Sequence, residues 1–296
     1  MNQKGMKKPT KRRQRMKRWL LIVTFLLTGW IIFAQGFMKM RVSDEEAKKA
    51  FSLMRVKLTT DTIVHNGFSL HYAQTGLDTL PTLFFIHGSP GSWNAFEVYM
   101  KDSALLAKYR MISIDRPGFG YSQFGDAKSL EEQVAIIQSL LKKIQNGKPV
   151  YVVGHSLGGP ISVKLTAENT DLVNGLVILA GSVSKEYEPK ENWRSVMKVI
   201  PLRFLLPGAF RPSNDEIWMA KKELESLSHQ FKLITCPVWI VHGDKDTFVP
   251  VENAYYAQKM LVNSSEVTLK IIKGAPHFIP WEPYYNDVKE VLLELK

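Results

Sequence analysis

Read for hydrophobic spacing, the chain changes period several times, and each change marks a different kind of element. Near its start stands WLLIVTFLLTGWIIFAQGFM, Trp19 to Met38, twenty residues without a charge. At about 1.5 Å per residue, a helix of that length spans about 30 Å, the thickness of a bilayer's hydrocarbon core. Ser43 to Val56 reads as a short helix, in which Ser43 offers an N-cap and Glu46, three positions on, the second half of a capping box. TDTIV and FSLHYAQ then flank His65-Asn66-Gly67. That pattern predicts a β-hairpin, because Asn-Gly readily supplies the positive φ such turns need.

From Thr82 onward, short unbroken apolar runs alternate with amphipathic stretches. TLFFIHG, RMISIDRPG, PVYVVGHS, LVNGLVILAG, CPVWIVHGDKD and EVTLKIIKG are the runs, and stretches such as SLEEQVAIIQSLLKKIQ and PYYNDVKEVLLEL lie between or after them. Strands apolar on both sides and joined by helices predict an α/β fold, with a mostly parallel sheet covered by helices on both faces. One connection is too long to be a bare loop. Residues 182–235 carry Trp193, Phe204, Phe210 and Trp218, interrupted by Pro201, Pro207 and Pro212; a small helical cap is expected there. The predicted organisation is therefore a tail over 1–18, an apolar span over 19–38 and one domain over 43–296 containing the cap.

Charge changes the picture at one end only. Nine Lys and Arg residues and no acid stand between Met1 and Arg18, so of the formal net charge of +11 only +2 remains for everything after. A basic balance held in one tail argues against a nucleic-acid-binding surface. Against Lys39 and Arg41 just after the span, the nine basic residues before it predict a cytoplasmic N-terminus and a domain across the membrane. The segment reads as an uncleaved anchor, with Lys39 to Ser43 as the tether to the first helix. The alternative is a signal peptide cut near Ala34 or Gly36, with Ile32 a poor small residue three before an Ala34 cut. Either way the domain is exported.

Cys236 is the single cysteine, so no internal disulfide forms. Placed before Pro237 at the start of an apolar run, it reads as a small buried hydrophobe.

In such sheets ligands bind outside the carboxyl ends of the strands, and the chemistry is sought there. GHSLG, Gly154 to Gly158, follows VYVV and opens a helix. This G-x-S-x-G turn holds Ser156 on a tight bend with its hydroxyl above the sheet. Serine needs a base to take its proton, and the base needs a third group to hold its tautomer. HGDKD and GAPH follow two later strands, in the order Ser, Asp, His. The histidines at 65, 71, 155, 229 and 242 read as local hydrogen-bonding groups, and their spacing suggests no metal site.

With these motifs, the chain from the hairpin to the C-terminus resembles the α/β-hydrolase family. The resemblance implies Ser156 as nucleophile, His277 as base and Asp246 as the acid that orients it, with Asp244 a rival read as a turn former. It implies no cofactor. HGSPGS, His87 to Ser92, is similar to the family's oxyanion loop, so the backbone N–H groups of Ser89 and Leu157 are the expected oxyanion donors. That loop departs from the GGGX variety and its typical bulky-alcohol specificity. DRPGFGYS, Asp115 to Ser122, also matches the family, with Asp115 read as structural.

Haloalkane dehalogenases and epoxide hydrolases resemble the chain in HGSPGS and DRPGFGYS but place an aspartate where Ser156 stands. Hydrolysis of a carboxylic ester through an acyl-enzyme is the expected activity, on a small-molecule or lipid-like substrate. A carbon–carbon bond hydrolase of the same fold and a membrane-tethered binding protein without turnover are the alternatives. An N-terminal-proline aminopeptidase fits less well, since its motifs typically read HGGPG and GGSWG.

Overall fold

The computed structural model describes residues 10–296. The first half of the basic tail, Met1 to Pro9, lies outside the described residues. Lys11 onward is helical: α1 runs Lys11–Gly36, a 26-residue helix exposed along almost its whole length. The apolar span thus begins inside a helix that already contains the last basic residues, and Phe37 and Met38 lie beyond its end.

Helix α2, Asp44–Leu53, is capped as its sequence predicts. The Ser43 side chain accepts from the Glu46 backbone N–H, and the Glu46 carboxylate accepts from the Ser43 N–H. The helix stops at Leu53, three residues short of Val56, and Arg55 takes up a φ of +58°. Strands β1 (Thr59–His65) and β2 (Phe68–Thr75) form the hairpin, with Asn66 and Gly67 both at positive φ in its turn.

The sheet has eight strands in the order β1-β2-β4-β3-β5-β6-β7-β8. Its remaining strands are β3 (Thr82–Ile86), β4 (Arg110–Ile114), β5 (Val150–His155), β6 (Gly175–Leu179), β7 (Val238–Gly243) and β8 (Val267–Ile272). Pairing is parallel from β4 through β8 and antiparallel at β1·β2 and β2·β4. Period-two alternation sorts the side chains into two cores. Phe84, Ile86, Val152 and Ile178 face one side, whereas Leu83, Phe85, Val153 and Val177 face the other.

After β3 a 3₁₀ turn at Trp93–Phe96 leads into two short helices, α3 (Glu97–Met100) and α4 (Ser103–Lys108), separate because Asp102 caps a new helix through the Ala104 and Leu105 N–H groups. Helices α5 (Leu130–Lys143) and α6 (Gly158–Ala167) cover the first face. Every residue of α6 is buried, which a helix lacking a polar stripe requires. Between β6 and β7 lie α7 (Trp193–Val196), a 3₁₀ turn at Leu202–Leu205, and α8 (Phe210–Phe231). Pro212 falls in the first turn of α8, where a missing N–H costs nothing. The far end of α8 buries Leu224, Leu227 and Phe231 in the first core, so this segment is part cap and part layer. Helices α9 (Glu252–Met260) and α10 (Tyr285–Glu294) complete the two faces.

Candidate active site

Three loops leave the carboxyl ends of parallel strands and meet above the sheet. At the end of β5 the chain turns straight into α6, which forces Ser156 to φ +55°. A non-glycine residue there is strained and persists only where its surroundings over-determine it. The glycines on either side supply that fit: a Cβ on Gly154 would lie 2.4 Å from the Gly158 carbonyl oxygen, and one on Gly158 would lie 2.2 Å from that of Ile86.

His277, in the loop after β8, places Nε2 3.0 Å from Ser156 Oγ. Its Nδ1 stands 2.7 Å from Asp246 Oδ2, in the loop after β7. A carboxylate only accepts, so Nδ1 carries the proton and Nε2 presents its lone pair to the Ser156 hydroxyl. Asp246 is held on both oxygens, since Oδ1 accepts from the backbone N–H groups of Phe248 and Val249 at 2.9 and 2.8 Å. Burial pushes this carboxyl up, but hydrogen bonds from His242 and His277 outweigh it and hold it below the usual carboxylate range. It is therefore ionised at neutral pH. Asp244 turns elsewhere and accepts from the Gly274 N–H at 2.6 Å, stitching its own turn.

Ser89 and Leu157 line the same cavity as Ser156 and His277. Among the described residues neither backbone N–H finds an acceptor. The loop after β3 comes so close to the serine that a Cβ on Gly88 would lie 2.8 Å from Ser156 Cβ. The cavity holds about 850 Å³, with Phe210, Ile217, Phe248, Phe278 and Trp281 among its apolar lining and Glu188, Glu191 and Arg194 among its polar lining. Arg194 is engaged by Glu191 through two hydrogen bonds of 2.6 and 2.8 Å. Burial raises the Glu188 carboxyl, which accepts from the Ser182 hydroxyl.

Asp115 takes the structural part expected of it. Its carboxylate accepts from the N–H groups of Trp93 and Tyr121 and from His71 Nδ1, tying three segments behind the site. Cys236 is half-buried, and burial pushes its thiol up to about 11, which leaves almost no thiolate at neutral pH.

Sequence reasoning missed several residues. His242 and His155 are more than local: His242 Nε2 donates to the Val249 carbonyl at 2.9 Å and lies 3.4 Å from Asp246 Oδ2. The His155 ring stands 4.9 Å from that of His277, and burial together with His277 pushes it down to about 3, keeping it neutral. Arg116, fully buried, pairs with Glu216 of α8 through both guanidinium nitrogens and donates to the Gly88 carbonyl at 2.9 Å. It thus links the cap helix to the loop of Ser89. The only sequence signal was its place in DRPGFGYS; its partner lies a hundred positions away.

The comparisons with known proteins agree with this architecture. A family model described as alpha/beta hydrolase fold matches residues 81–222. The chain is 32% identical over 111 residues to epoxide hydrolase 1 of Caenorhabditis elegans, covering 36% of this chain and 27% of that protein. It is 28% identical over 178 residues to the uncharacterized hydrolase YcgS of Bacillus subtilis strain 168, covering 60% of this chain and 56% of that one. The chain thus spans about half or less of the length of these curated relatives.

Among solved structures, a bacterial membrane phospholipase A superposes with a TM-score of 0.60 at 16% identity, over 95% of this chain and all of that one. A serine hydrolase of Cycloclasticus zankles superposes with a TM-score of 0.63 at 19% identity, over 80% of this chain and 97% of the other. At such identities the likeness is one of fold.

Proposed function

We propose that this chain, which belongs to the α/β-hydrolase fold family, is a serine hydrolase that cleaves carboxylic esters through an acyl-enzyme. The observation that carries the reading is the hydrogen-bonded series from Ser156 Oγ through His277 to the ionised Asp246, at the edge of an apolar cavity. Ser156 attacks the ester carbonyl as its proton passes to His277 Nε2. The Leu157 and Ser89 N–H groups receive the oxyanion; losing one such donor typically costs about 10²–10³ in rate. The imidazolium then protonates the leaving alcohol, and a water activated by the same His277 releases the acid. A serine in place of a carboxylate at this turn favours acyl transfer over epoxide opening, despite the matching stretch in the nematode epoxide hydrolase.

The test is twofold. A fluorophosphonate should label the wild-type chain at Ser156, and a panel of p-nitrophenyl esters of rising acyl length should be hydrolysed with a preference for longer chains. An unlabelled protein would leave only the binding-protein reading, and preference for acetate would remove the lipid-like substrate.

We further propose that α1 anchors the protein in a membrane with the domain on its outer side. The helix is long and apolar enough to cross one, and Trp193, Val196, Val199 and Ile200 of the cap are exposed. After a carbonate or high-salt wash the protein should stay in the membrane pellet and leave it only with detergent, since apolar burial is insensitive to charge screening. A mature N-terminus at about Gln35 or Phe37 would show a cleaved signal peptide.

A further inference from the structure

The last turn of α1 and the segment after it, which includes the Lys39 to Ser43 stretch read from the sequence as a tether, are built into the domain. Ala34 is fully buried, and its carbonyl accepts from the Gly208 N–H at 2.7 Å. Gln35 bridges two cap segments: its Nε2 donates to the Phe204 carbonyl at 3.0 Å, and its Oε1 accepts from Arg211 Nη1 at 2.6 Å. The Met38 carbonyl accepts from the Ala209 N–H at 3.0 Å. Gly208, at φ +44°, leaves no room for a side chain, because a Cβ there would lie 2.1 Å from the Phe37 carbonyl oxygen.

On the other side Arg41 closes the clamp. Its Nη1 donates to the Gly120 carbonyl at 3.0 Å, and its guanidinium lies 4.5 Å from the Tyr121 ring centroid. Between the two fastenings Met38 and Met40 both hold positive φ, +54° and +50°. Such backbone strain in a methionine pair requires a surrounding that enforces it. What the clamp positions is Met40, which lines the cavity that also contains Ser156, Phe210 and Ile217.

We infer that Met40 is a specificity-determining residue, a fixed wall of the substrate cavity contributed by the segment that leaves the membrane helix. The inference rests on the ester-hydrolase reading and deepens it: the part of the substrate that meets Met40 is an apolar chain, in a cavity that Phe210 and Ile217 also line. A bulkier residue at 40 shortens the chain that fits, and a smaller one admits a broader chain.

The experiment uses the full chain in detergent micelles and three fluorophosphonates, bearing an ethyl, a dodecyl and a branched chain. The readout is the ratio of their labelling rates at Ser156, taken relative to wild type so that partitioning into micelles cancels. Met40→Trp is expected to lower the dodecyl-to-ethyl ratio about ten-fold, the dodecyl rate falling further than the ethyl rate. Met40→Ala is expected to raise the branched-to-dodecyl ratio about three-fold. Should the tryptophan variant lose both probes equally, its fold is damaged and the alanine variant decides. Unchanged selectivity in the alanine variant, or in both, overturns the inference. The ester reading fails differently: the wild type would be labelled, with the ratios shifting as described, yet cleave no carboxylic ester.

Discussion

Ser156→Ala is expected to lower kcat for ester hydrolysis by about 10⁶-fold, the scale seen when a nucleophile that acts as one unit with its base is removed. Among the described residues no other hydroxyl takes its place: those of Ser89, Ser92, Ser182 and Thr247, which also line the cavity, make no hydrogen bond to His277. The fold should survive. The hydroxyl makes one hydrogen bond, to His277, and alanine tolerates the same space while the strained turn is kept by Gly154, Gly158 and the close approach of Gly88. Thermal unfolding at or slightly above the wild-type midpoint, together with lost turnover and lost fluorophosphonate labelling, is the expected pattern. Retained turnover would move the nucleophile elsewhere.

The second large effect is expected at Asp246. Asp246→Asn should lower kcat by about 10⁴-fold, and the geometry says why. Two backbone donors, from Phe248 and Val249, hold Oδ1, so the asparagine carbonyl must remain there. The amide NH₂ is then forced toward His277 Nδ1, which can only accept from it. The imidazole proton moves to Nε2, facing Ser156, and the base has lost its lone pair. Asp244→Asn should change kcat only a few-fold, because that side chain serves the Gly274 turn.

The sign of the pH effect follows from the depressed Asp246 carboxyl. Its charge is present above the ordinary carboxylate range and is lost only as pH falls through its lowered folded value. Across neutral and mildly acid solution Asp246 itself therefore stays charged and should add no step to the wild-type pH profile of kcat. A more damaging Asp244→Asn would reverse the assignment of the acid.

What the residues announced in advance were the features whose cause is local. The capping box at Ser43 and Glu46, the Asn66-Gly67 turn and the serine bend between Gly154 and Gly158 each involve groups within five positions, so spacing alone betrays them. The alternation of apolar runs with helices announced a parallel sheet, since only strands buried on two faces lack a polar side. Contacts across long separations were silent. Gln35 meets Phe204 and Arg211 about 170 positions away, and Arg116 meets Glu216 a hundred positions on. No pattern in either partner's neighbourhood specifies the other. The segment from Lys39 to Ser43 looked like a tether because its short polar sequence has no period; its role comes entirely from what it is fastened to.

The Arg116–Glu216 pair also bears on how the cavity fills. If α8 swung away as a hinged flap, Glu216 would go with it and the guanidinium would stay behind, buried against Gly88 and Gln133 without a counter-ion. Separating a buried pair in this way costs about 3–5 kcal/mol. A state that costly is populated by between about one molecule in a hundred and one in several thousand. The α8 side of the cavity therefore stays closed in nearly every molecule, and this roof behaves as masonry that sets the shape of the space beneath it.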